Sequence, residues 1–150
     1  SMPTTLSDAD AMINRLRRTN ASLSNKLKDI TCRRGLVYPP CWSKPQNPNR
    51  PAYIYNVSIF DEGINVKIGD NRAGQDLSPL KINGVEPPFE TIISGQEFTR
   101  KTKGLYNWSV ENECRFFVRL SDKTSATNKL GYKQYLSVVE NHFYKYLTKN

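Results

Sequence analysis

The chain has 150 residues, with 22 basic and 14 acidic side chains and a formal net charge of +8. That length fits one domain with an appendage, and a composition of 37% hydrophobic and 24% charged residues excludes a disordered chain. No apolar run approaches the roughly 18 residues of a membrane-spanning helix. One histidine and three cysteines offer little for a zinc site.

Ser1 ahead of Met2 reads as an expression remnant rather than a natural start. The charge is unevenly spread. Residues 1–50 hold nine basic and three acidic side chains, a net +6, and the remaining hundred residues carry only +2. The basicity belongs to an N-terminal arm, where it suits a membrane surface or a neighbouring subunit, with nucleic acid as the second choice. Solvated helix-surface charge is the plainer alternative.

Ser7 with Asp10 resembles a capping box that opens a helix to about Ile30. Leu6, Ile13, Asn20 and Leu27 take heptad position a, and Ala9, Leu16, Leu23 and Ile30 take position d. Apolar a and d residues interrupted by one Asn at a are the pattern of a two-stranded coiled coil, because paired Asn side chains fix the register. Ile13, Leu16, Asn20, Leu23, Leu27 and Ile30 are thus the expected dimerisation residues. An amphipathic helix lying on its own domain is the competing possibility, but the apolar stripe is narrow for that. The pattern breaks over residues 31–35.

Five prolines between 39 and 51 exclude helix and central strand and mark a connector, with Cys41 and Trp42 expected to tuck onto the domain. Domain boundaries follow: a helical arm over 6–30, a connector over 31–51 and a globular domain over 52–148. Tyr53–Phe60 reads as a strand and Ile64–Ile68 as its hairpin partner, with Gly63 in the turn. Leu80-Lys81-Ile82 offers a short third strand. Ser94 with Glu97 caps a helix to about Asn112, turning Phe98, Thr102, Leu105 and Trp108 inward. Cys114–Leu120 reads as a strand, with Cys114, Phe116, Val118 and Leu120 on one face and Arg115, Phe117 and Arg119 on the other. A final helix is expected over Leu130–Leu147. The fold class is α+β: a coiled-coil helix, then a small mixed or antiparallel sheet in the order β-β-(β)-α-β-α, with helices on one face.

The chemistry is sparse. His142 reads as a structural histidine flanking the last helix. Asp70, Asp76 and Glu86 fit no known cation loop, and Glu62 with Lys67 is a weak nuclease hint. A Cys41–Cys114 disulfide would pin the connector to the sheet, but three cysteines leave one over, and Cys114 reads as a buried thiol. Arg115, Phe117 and Arg119 form a candidate ligand- or anion-binding face, since two guanidiniums beside an aromatic ring can clamp an anion or stack a base. The alternative is that Phe117 is covered and the arginines pair with Glu111, Glu113 or Asp122. No catalytic residue, metal or other cofactor is assigned.

Several segments together carry a resemblance. They are the arm, Pro39-Pro40-Cys41-Trp42, Tyr53-Ile54-Tyr55, Trp108-Ser109, Cys114–Arg119, and Tyr132-Lys133 with Val139–Tyr146. The chain resembles an uncharacterised bacterial family of membrane-anchored coiled-coil proteins with a small C-terminal α+β domain. The resemblance implies a membrane segment upstream of Leu6 and a cell-envelope location. It also implies a partner of the stator-type proton-channel class, as in Zorya-like antiphage systems. It carries over no catalytic residue. The expected function is a non-enzymatic, homodimeric sensor or partner-binding domain. The alternatives are a nucleic-acid-binding protein using the basic arm and the Arg/Phe face, and a metal-dependent hydrolase.

Overall fold

The computed structural model describes residues 6–32, 38–82, 84–85 and 89–148; in the first helix side chains are described from Ser7 to Leu23. Helix α1 spans Leu6–Cys32, so Ser7 lies inside it rather than capping it. Leu27 and Ile30, the last two expected dimerisation residues, lie outside the described side chains.

The proline-rich connector folds into a small antiparallel hairpin, β1 (Ser43–Lys44) with β2 (Asn47–Pro51). The main sheet has five strands: β3 (Tyr53–Phe60), β4 (Gly63–Ile68), β5 (Phe89–Ile93), β6 (Phe117–Asp122) and β7 (Tyr144–Leu147). Their order is β5-β4-β3-β6-β7. β3–β4 and β4–β5 pair antiparallel, while β3–β6 and β6–β7 pair parallel. Helices α2 (Gly95–Glu111) and α3 (Lys129–Glu140) supply the crossovers and pack on one face.

Alternation decides which side chains enter the core. Tyr55, Val57 and Ile59 on β3, Ile64 and Val66 on β4, and Val118 and Leu120 on β6 are buried beneath the helices. A register shift between Tyr53 and Tyr55 lets Ile54 be buried as well. Phe98 and Leu105 of α2 and Val139 of α3 close the core from above. Trp42 joins them at 1% exposed, its ring edge-on to Phe116, which in turn meets the tilted ring of Trp108.

The turn between β3 and β4 needs Gly63. Its φ is +152°, and an added Cβ would run into the Ile93 carbonyl oxygen of β5. The Ser94 hydroxyl accepts from the Glu97 backbone N–H at 3.1 Å, as the capping pattern requires. The Glu97 carboxylate turns forward to Arg100 instead of back to the cap, so only half of the box forms.

The α+β class and the helix-covered face hold, and three local expectations are corrected. The third strand is Phe89–Ile93; Ser78–Lys81 winds into a 3₁₀ turn instead, with Pro79 pre-setting its φ. The last helix stops at Glu140, and Tyr144–Leu147 form an edge strand parallel to β6. Tyr146 and Leu147 fall on a helical stripe by spacing, but Tyr-Lys-Tyr-Leu also alternates, and the free edge of β6 selects the strand. Cys114 is not a thiol: it bonds Cys41.

Candidate functional site

The open face of the sheet carries the residues singled out above, in an arrangement that spacing alone did not show. Phe117 stands opposite Tyr144 and Arg119 opposite Tyr146 on the neighbouring strand. Phe117 meets Tyr53 and Tyr144 edge-on, with ring centroids 6.4 and 5.3 Å apart, and Tyr53 reaches Tyr146 at 6.2 Å. The result is an aromatic ladder across β3, β6 and β7, with Tyr146 57% exposed at its edge. Helical spacing over residues 144–147 hides Tyr144 and Tyr146, whose period-2 alternation is the available signal. Tyr53 lies in a strand legible from the sequence, but nothing in its spacing places it beside Phe117.

Neither arginine is a free clamp. Arg119 stacks over Tyr53 at 4.4 Å and pairs with Asp70 at 2.6 Å. Desolvation is the largest single influence on Asp70 and pushes its carboxyl up. Hydrogen bonds from the Tyr53 N–H and from Arg119, with the charges of Arg119 and Lys44, outweigh it and hold the group below its ordinary value. Arg115 precedes the regular strand. It lies over Tyr106 and Tyr144 and donates to the Glu140 carbonyl at 2.7 Å. The partners are therefore Asp70 and a backbone carbonyl, not Glu111, Glu113 or Asp122.

His142 follows α3 in a turn and is buried. Its ring stacks on Tyr106 at 4.6 Å, and Nδ1 lies 2.8 Å from the Thr102 hydroxyl. That hydroxyl donates its proton to the Phe98 carbonyl, so Nδ1–H donates to Thr102 Oγ1. Thr102, at 3% exposed, cannot serve as a nucleophile reached by substrate. Burial, then the charges of Arg115 and Lys103, hold the His142 pKa below 6.5. The fold thus prefers neutral imidazole. This contribution is complete above the unfolded value and is lost as pH falls through the lower folded value. Acidification through the ordinary histidine range is expected to destabilise the domain, with the His142 ring titrating below 6.5 in an NMR pH series. A midpoint at or above that value would refute the assignment.

Among the described residues no group of three His, Cys, Asp or Glu side chains could hold a metal. Asp70 is engaged as above, Asp76 faces Arg18 and Ser78, and Glu86 lies outside the described residues.

The disulfide joins two buried cysteines, Cys41 in the connector and Cys114 ahead of β6, across a sequence separation of 73. The same junction carries a parallel bridge between Pro40 and Arg115, with Cys41 N–H donating to the Arg115 carbonyl and Arg115 N–H to the Pro39 carbonyl, both at 2.9 Å. The connector is thereby pinned to the segment that leads into β6.

Helix α1 rests on this junction by a polar face. Arg18, its side chain 11% exposed, reaches Asp76 and Asn112 at 3.4 Å each and covers the Trp108 ring at 5.3 Å. Ser22 is buried beside it. The heptad residues Ile13, Leu16 and Leu23 remain 46%, 55% and 55% exposed, and Asn20 is exposed with them. At 3.6 residues per turn the two sets project from opposite sides of the helix. Among the described residues no helix is long and apolar enough to cross a membrane. Comparisons with protein families, curated proteins and solved structures found no match.

Proposed function

We propose that this chain is a non-enzymatic, dimerising partner-binding domain at the end of a helical stalk, working in an oxidising compartment of the cell envelope. The observation that carries the reading is the division of α1. Its polar face is spent on its own domain, and its a/d stripe is left bare. A helix that only lay on its domain would bury Ile13, Leu16 and Leu23 rather than Arg18 and Ser22. A second copy of the same stripe, aligned by Asn20, is the occupant that a heptad of this composition selects. Docking of the opposite face supplies the support that so short a coiled coil needs in water.

Two further features agree. A structural disulfide suits an extracytoplasmic location, since cytosolic thiols are kept reduced. The resemblance to membrane-anchored coiled-coil proteins supplies a partner class, the stator-type proton channel. On this reading the excess charge of the arm faces lipid headgroups or the partner.

Light scattering of the chain at tens of micromolar tests the pairing. A dimer is expected, with Leu16→Asp and Leu23→Asp together giving a monomer of unchanged circular dichroism. Asn20→Leu is expected to relax the dimer toward higher oligomers. A monomer indifferent to all three substitutions would sink the proposal.

The aromatic ladder favours a second reading, single-stranded nucleic acid stacked on Tyr144, Tyr146 and Phe117. The neutralised Arg119 and the disulfide weigh against it. Its signature is affinity that falls steeply with salt and that Phe117→Ala abolishes.

A further inference from the structure

The geometry points to a second site: we infer that the cleft between α1 and the connector binds a small oxyanion, a phosphate or a carboxylate. The cleft measures about 240 Å³ and is lined by Arg17 and Arg18 of α1, Ser43 and Lys44 of β1, and Gln75 and Asp76 of the loop after β4. Three cations face one carboxylate there.

That carboxylate is an incomplete partner. Arg18 lies 3.4 Å from Asp76 and 3.4 Å from Asn112, at the outer limit of a hydrogen bond. A charge-assisted pair closes to roughly 2.7–2.9 Å. The Arg18 Nε is buried with no acceptor. The other oxygen of Asp76 is taken by the Ser78 N–H at 3.0 Å and the Ser78 hydroxyl at 2.7 Å. Burial lowers the Arg18 pKa despite the neighbouring carboxylate, the mark of a desolvated cation short of negative charge. Arg17 and Lys44 are exposed at the rim. An oxyanion seated between them supplies the missing charge, and the volume admits it with several waters, each needing about 30 Å³.

The position gives the site a consequence. One wall is the stalk helix and the other is the connector that Cys41 ties to the sheet. An occupant therefore stiffens the joint between stalk and domain. The cleft lies on the docking face of α1, away from the a/d stripe, so it stays open whether or not α1 pairs. Its test is independent of oligomeric state.

The experiment is titration calorimetry of the full chain with inorganic phosphate and, separately, with succinate, at constant ionic strength in chloride. Saturable binding of at least one anion is expected, and which one binds assigns the class. Arg17→Ala and Lys44→Ala, both at exposed side chains, are expected to weaken binding by about five- to tenfold each, and Asp76→Asn to tighten it by about as much, as removal of one nearby charge implies. Asn keeps an acceptor for Ser78, so a purely structural Asp76 would not produce tighter binding. Absence of saturable heat with both anions overturns the inference. So does binding that the three substitutions leave unchanged, or binding that Asp76→Asn weakens.

Discussion

Reduction of the Cys41–Cys114 bond is expected to cost the fold about 4 kcal/mol, the loop-closure value for a crosslink of this span. The bond closes a loop with a sequence separation of 73, so the reduced unfolded chain regains a large conformational freedom. At a urea dependence of about 2 kcal/mol per molar, the unfolding midpoint falls by roughly 2 M. Urea titrations with and without reductant measure this, and the Cys41→Ser, Cys114→Ser double variant separates the crosslink from side effects of the reagent. Coincident unfolding curves would show that the bond contributes nothing.

Trp42→Ala is expected to cost about 3–5 kcal/mol, the range for emptying a buried large aromatic site. The indole is 1% exposed and meets Phe116 edge-on at 6.0 Å. Its Nε1–H donates to the Asp76 carbonyl at 2.9 Å, so truncation also strips a partner from that carbonyl. Trp42→Phe keeps most of the volume and is expected to lose much less, and the difference between the two isolates the cavity. Because Trp42 adjoins Cys41, the losses from removing the ring and the crosslink will not add. An unfolding midpoint unchanged in Trp42→Ala would remove the connector from the core.

What could be read in the residues follows from where periodicity is unambiguous. The face of Cys114–Leu120 alternates cleanly, and the sheet uses it so. In the hairpin, alternation turns Ile64, Val66 and Ile68 inward and Asn65 outward, yet Asn65 is buried, Ile68 is 57% exposed at the end of β4, and Ile54 is buried beside Tyr55. Ser94 with Glu97 located the start of α2 because the cap is a local interaction. The last element failed for a physical reason. Tyr132 through Leu147 satisfies a helical stripe to its end, and only the tertiary context of an unpaired β6 edge turns Tyr144–Leu147 into a strand. Reading that strand as helix hides the aromatic ladder, since two of its four rings, Tyr144 and Tyr146, come from β7. The cleft beside Arg18 was equally hidden. It joins α1, the connector and a loop, and nothing in their spacing says that they meet. The disulfide depended on the same long-range closure: parity of cysteines argued against it, and only the Pro40–Arg115 bridge brings the two together.

The parallel pairing of β3 with β6 also sets an order of events. β3 finds β4 at once, because a two-residue turn joins them, but Tyr53 must wait for Phe117. Until the chain has emerged past Asp122, the long edge of β3 has no neighbour, and Cys41 has no nearby Cys114 to meet. Loop-closure entropy must be spent before that central pair forms, which makes folding slow and leaves an apolar edge exposed to other chains meanwhile. Until Cys114 has been added, Cys32 is the one other cysteine in the chain. The native crosslink thus belongs to the completed sheet: Cys41 and Cys114 come together only once β3 and β6 have paired.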